Sequence, residues 1–196
     1  MNIDTTTTEE KIINATFRIL QKEGVKKATT KKIAAEAGVN EITIFRKFKN
    51  KKNLIETVKE HHMQIFLDKI EKIFEFDEDE EIDAYLKNNF NELSALSDED
   101  FSIMKIAMEE VREIPERKLI LSRITDLILG KLEEFFKLQN EKGKIRDVNP
   151  RILAIMCFSI TFQSVVLWKV YNKDPNVEVN EYSDEFLNIL FNGINP

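Results

Sequence analysis

One cysteine, four prolines and five glycines are all that 196 residues contain. The lone Cys157 excludes an internal disulfide framework, and with no CxxC pair or His/Cys cluster nothing points to structural zinc. So little Gly and Pro leaves too few turn formers for a sandwich, barrel or propeller. No phosphate-cradling Gly loop, HExxH, GxSxG or nucleophile–base pattern occurs, so no catalytic residue, cofactor or metal is expected. Residues 1–10, MNIDTTTTEE, lack the basic start and apolar stretch of an export signal, and the expected compartment is the cytoplasm. The uncharged run from Ile152 to Trp168 spans 17 residues and includes Ser159, Thr161, Gln163 and Ser164. That is short of the roughly 20 apolar residues of a bilayer crossing, so it reads as a helix buried on several sides, with no membrane partner.

What is present is a core and a lopsided charge. The chain is 42% hydrophobic, with 14 Phe, which is ample for a packed interior. Its net charge is −6, yet residues 1–60 hold 13 Lys and Arg against 8 Asp and Glu, and residues 61–196 hold 16 against 27. Between 11 and 59 the only acidic residues are Glu23, Glu36, Glu41 and Glu56. Such asymmetry suggests a module for a polyanion joined to an acidic body; a solvated lysine face is the plainer alternative.

Apolar periodicity predicts helices nearly throughout, about nine in all. Thr8 to Glu23 places Ile12, Ile13, Ala15, Thr16, Ile19 and Leu20 on one face and closes at Gly24. Thr29 or Thr30 caps a short helix that Gly38 stops, and Asn40 caps a second one from Glu41 to Phe48. Lys51 opens a long amphipathic helix through Leu54, Ile55, Val58, Met63, Phe66, Ile70 and Ile73, ending in the acidic run Asp77 to Asp83. Further helices are predicted near Ile82–Leu96, Glu99–Glu113, Glu116–Glu141 and Arg151–Tyr171, with a last one at Ser183–Phe191 capped by Ser183. No strand-period run competes.

The pair of short helices carries the strongest signal. In Ile33-Ala34-x-x-Ala37-Gly38-Val39 the small residues allow two helices to cross closely, and Gly38 supplies the positive φ of a tight turn. A short helix, a Gly turn and a second short helix form a helix-turn-helix, whose second helix enters the major groove of DNA. The outward residues suit that role. Thr29, Thr30, Lys31 and Lys32 stand at a helix start suited to phosphate, and Lys47, Lys49, Lys51 and Lys52 extend the positive ridge. Ile42, Thr43 and Arg46 are candidates for base-edge contact, by hydrogen bonds or against thymine methyls. Glu41 is expected to face away.

Thr29-Thr30-x-x-Ile33-Ala34-x-x-Ala37-Gly38-Val39, followed by Thr43-Ile44-Phe45-x-x-Phe48-x-x-Lys51-x-x-Leu54, resembles the DNA-binding signature of the TetR family of transcriptional regulators. The resemblance covers about residues 8–58. It implies an all-α chain: residues 1–50 form a three-helix DNA-binding head, and residues 51–196 form a bundle for ligand binding and dimerisation. It also implies that Ile42, Thr43, Phe45, Lys47 and Lys51 stand at DNA-contact positions; Asn40, the cap of the second helix, is a further candidate for DNA contact. Phe45 stands where the family usually has Tyr, losing a hydroxyl; Lys47 replaces a frequent His, and Ile42 a frequent Gly. By the same resemblance two chains pair through the last long helices, and a small, largely apolar effector enters the bundle and releases a repressor from a pseudo-palindromic operator.

In the body, Phe90, Phe101, Met104, Met108, Phe158, Phe162 and Trp168 are the candidates for lining an effector pocket, with plain core as the alternative for each. His61 and His62, neighbours that diverge by roughly 100° on a helix, cannot clasp one metal and are expected at the surface. Glu109, Glu110, Glu113 and Glu116 are expected to form a solvated acidic face, and Cys157 to be a buried small apolar residue. The rival function is a helical protein-interaction module whose basic head binds an acidic partner.

Overall fold

In the computed structural model residues 7–110, 120–171, 173 and 176–193 are described, with side chains for all of these except 107–110, 120 and 121. Among the described residues the regular structure consists of nine helices: α1 (Thr8–Lys27), α2 (Thr30–Ala37), α3 (Glu41–Phe48), α4 (Lys51–Ile73), α5 (Ile82–Ala95), α6 (Asp98–Glu110), α7 (Ile120–Glu141), α8 (Pro150–Lys169) and α9 (Val179–Asn192).

Each helix of the head begins on a side chain that accepts from the first turn. Thr7 and Glu10 form a reciprocal capping box at α1, with Thr7 N–H donating to Glu10 at 2.7 Å and Glu10 N–H to Thr7 at 3.2 Å. Thr29 caps α2 and Asn40 caps α3. Asn50 caps α4. Gly24, at φ 74°, breaks the regular path of α1 where the apolar periodicity ends. Gly38, at φ 66°, lets the chain leave α2 and start α3 three residues later. Ile12, Ala15, Ile33, Ile44 and Leu54 from these four helices are all fully buried together.

The body is built behind α4, which packs on α1 and α3 at one end and on α5, α6 and α7 along its length. α7 and α8 make the most extensive pairing, and α9 closes the bundle against α5. Tyr85, Phe135 and Phe76 pack as an aromatic knot, Tyr85 and Phe135 at 4.0 Å and Phe76 and Phe135 at 5.2 Å between ring centroids. α8 is long and apolar enough to cross a membrane by composition, but it lies against α7 and α5. Its Pro150 opens the first turn beneath the Asn149 cap.

Two expectations are corrected. Ser183 does not cap the last helix. α9 begins one turn earlier at Val179, and Ser183 is buried inside it, donating to the Asn180 carbonyl at 2.9 Å. Tertiary packing supplies that extra turn, because Val179 and Tyr182 lie against the core and Tyr182 stacks on Phe90 at 5.3 Å. His62 is not a surface residue like exposed His61. It is half-buried, and its ring stacks on Phe17 at 3.4 Å. The junction expected around Pro115 and Glu116, together with Glu113, lies outside the described residues, as do the side chains of Glu109 and Glu110.

Candidate nucleic-acid interface

The second helix of the motif turns one face inward and offers the other. Ile44 and Phe48 of α3 are buried, while Ile42, Phe45, Arg46 and Lys47 are exposed and Thr43 is half-exposed. The turn into α4 takes only Lys49 and Asn50: Lys49 N–H donates to the Phe45 carbonyl and Asn50 N–H to the Phe48 carbonyl, both at 2.8 Å. Lys49 adopts φ 68°, a left-handed conformation unusual for a side chain other than Gly, and its exposed ammonium is carried beside the start of α4.

Hydrogen bonds fix how these elements face outward. Thr29 accepts from Lys32 N–H at 3.2 Å, so by helix geometry the amides of Thr30 and Lys31 have no helical acceptor and are available to a phosphate. The Thr30 hydroxyl donates to the Glu41 carboxylate at 2.5 Å, which clasps the starts of α2 and α3 and holds the one acidic residue of α3 half-buried. Asn40 accepts from Ile42 N–H at 2.9 Å, so its carbonyl oxygen is committed to the cap.

The cations fall into two groups. Lys31, Arg46, Lys49 and Lys52 are exposed and make no ion pair with the described residues. Lys32 pairs with Glu23 at 2.5 Å and Lys47 with Glu9 at 3.2 Å, both at the surface, where a phosphate can displace the carboxylate at little cost. The Lys32 ammonium holds the Glu23 carboxyl below its ordinary range. Lys51 is placed differently: half-buried, it donates to the Val25 carbonyl at 3.3 Å, tying the start of α4 to the chain just after Gly24. It retains two further donors at the helix start. The clasp between Thr30 and Glu41 and the pairs to Glu9 and Glu23 had no signal in the sequence, since each joins residues far apart along the chain.

The body candidates separate into three groups. Phe90 meets Trp168 edge-on at 5.8 Å, and Trp168 meets Tyr182 at 5.1 Å, with the Tyr182 and Ser164 hydroxyls 2.6 Å apart. Phe158 and Phe162 stack on one another at 5.0 Å. Phe101 packs edge-on against Phe66 of α4 at 5.8 Å, and Met104 is fully buried beside it on α6. The side chain of Met108 lies outside the described residues. Cys157 is buried, which pushes its thiol up to about 12. Between head and body, a cavity of about 310 Å³ is bounded by Phe17 of α1, His62 and Ile65 of α4 and Ile103 of α6.

Residues 12–58 match the family model of bacterial regulatory proteins of the tetR family. The HTH-type transcriptional regulator YvkB of Bacillus subtilis strain 168 is 46% identical over 55 residues, 28% of this chain and 29% of that one. The fatty acid metabolism regulator protein of the same organism is 24% identical over 192 residues, 93% of each chain. Among solved structures, that of AibR in complex with isovaleryl coenzyme A and operator DNA superposes with a TM-score of 0.63 at 17% identity, covering 94% of this chain and 98% of the other. The shared fold therefore extends through the body as well as the head.

Proposed function

We propose that the chain is a regulator of the tetR family, whose model residues 12–58 match, and that it works as a homodimeric repressor, released from a pseudo-palindromic operator by an acyl-bearing effector. The observation that carries the DNA reading is α3: an inner face locked by Ile44 and Phe48, and an outer face of Ile42, Phe45, Arg46 and Lys47, flanked by Lys31, Lys49 and Lys52, which make no ion pair with the described residues. Arg46 is the base reader with hydrogen-bonding capacity, and Thr43 a shorter one. Thr29, Thr30, Lys31, Lys32, Asn40, Lys47, Lys49, Lys51 and Lys52 grip phosphates and set the register.

Pairing is supported by the outer side of α8 and α9, where Ile152, Ile155, Met156, Ile160, Leu167, Ile189 and Phe191 are exposed. An apolar surface of that extent in water marks an interface. A two-fold pair seats its recognition helices about 34–36 Å apart or at a related spacing, which dictates the two-fold operator. The effector class rests on the fatty acid metabolism regulator of B. subtilis and on the acyl coenzyme A in the AibR complex. The aromatic groups Phe90–Trp168 and Phe158–Phe162, with Phe101, Met104 and Met108, are the apolar surfaces from which an acyl site would be made. Such a ligand acts only by binding the DNA-incompetent form better than the competent one.

Footprinting on the DNA upstream of its own gene, followed by gel shifts with wild type and Arg46→Ala, tests the reading. A protected two-fold site, at least tenfold weaker binding by Arg46→Ala, and release on adding a fatty acyl coenzyme A are expected. An intact, folded Arg46→Ala variant that binds as tightly as wild type overturns the assigned DNA face.

A further inference from the structure

The outer face of α3 is unusual in one respect: it is apolar at its tip. Ile42, the second residue of the helix, is 73% exposed, and Phe45, one turn further on, is 45% exposed. They stand among cations on a head otherwise suited to a polyanion. A phosphate backbone offers an isoleucine or phenylalanine nothing to bind. In the major groove the apolar groups are the C5-methyls of thymine.

Resting on the DNA reading above, we infer that Ile42 and Phe45 form an apolar reader of thymine methyl groups, which sets the operator's base preference alongside Arg46. Three features of the helix support it. The N-terminal residues of a recognition helix reach deepest into the groove, and Ile42 is at that end. Its amide is already satisfied by Asn40, so at Ile42 the helix presents the side chain and no free backbone donor. Residues three apart on a helix have Cβ atoms about 5–6 Å apart, which spans methyls on neighbouring or next-neighbour base pairs of a duplex rising about 3.4 Å per pair. Arg46, four residues after Ile42 on the same face, is placed to take a guanine next to those thymines. A half-site in which a guanine adjoins at least two thymines follows.

The test needs no known operator. Duplexes are selected from a randomised pool by the purified full-length protein, and the tightest sequence is prepared with either thymine or uracil throughout, a change that removes only the C5-methyls. Wild type is expected to bind the uracil duplex more weakly by about fourfold for each methyl that the helix covers. Ile42→Ala and Phe45→Ala, checked for unchanged thermal melting, are each expected to bind the thymine duplex more weakly and to lose part of the discrimination against uracil. Equal binding of thymine and uracil duplexes by wild type overturns the inference while leaving sequence-selective DNA binding intact. Full discrimination retained by both alanine variants also overturns it. Failure to select any sequence overturns the DNA reading on which it rests.

Discussion

His62 shows how one side chain can report on the joint between head and body. Its ring stacks on Phe17 of α1, its Nε2 is buried without a partner, and burial, helped by the neighbouring charge of His61, pushes its pKa from 6.5 down to about 4. The other ionisable groups lining the cavity are Lys69 of α4 and Asp100 of α6, which are paired with each other, and Glu99 of α6. Because the folded pKa lies below the unfolded one, the native chain binds fewer protons between these values. The contribution of this site to stability is therefore full above about pH 6.5 and is lost as pH drops towards 4. Replacing His62 by Phe keeps the stack on Phe17 and removes both the titration and the unpaired nitrogen. Melting temperatures of wild type and His62→Phe are expected to agree or favour the variant at pH 7.5, with the variant's advantage widening between pH 6.5 and 4. Parallel curves across that range would mean that the ring charges without disturbing the joint.

At the scale of the element, the link between α3 and α4 trades backbone ease for charge. The turn is closed in two residues, and Lys49 holds φ 68° in it, a conformation that costs a residue other than Gly about 1–3 kcal/mol. Lys49→Gly is expected to raise the melting temperature by about 2–4 °C, corresponding to about 1 kcal/mol of relieved strain in a chain of this length. The same variant is expected to bind operator more weakly. The slope of log affinity against log salt should flatten by about 0.9 for each phosphate that the variant no longer neutralises. Stability rising while the slope stays unchanged would show that Lys49 does not reach DNA. The head was legible because its signals are local: caps at Thr29 and Asn40, the stop at Gly38, and inward Ile33, Ile44 and Phe48 all act within a few residues of themselves. Lys51 was legible as a helix-opening cation but not as the donor to Val25, which is 26 residues away. The start of α9 was missed for the same reason, since Tyr182 is held by Phe90 and Trp168, distant in sequence, rather than by a cap.

The whole molecule is where sequence pattern says least and symmetry matters most. An apolar run such as 152–168 can be buried by its own bundle or by a second copy, and periodicity does not tell the two apart. The fold divides them: Ala154, Cys157, Phe162, Val165 and Val166 face inward, while Ile152, Ile155, Met156, Ile160 and Leu167 remain outside with Ile189 and Phe191 of α9. In a two-fold pair the same patch meets itself, so each introduced charge confronts or approaches its own copy and is buried twice. The double variant Ile155→Glu, Met156→Glu is therefore expected to run in size-exclusion chromatography with light scattering at the 23.0 kDa mass of one chain, and wild type at twice that mass. Its head should fold unchanged, since neither substituted side chain touches it, and its residual DNA binding should fall to that of a single half-site without the affinity gained from joining two. A double variant that still runs at twice the chain mass would move the interface away from α8. A wild type that runs as single chains while protecting a two-fold operator would make DNA, rather than this apolar face, the agent that brings the two copies together.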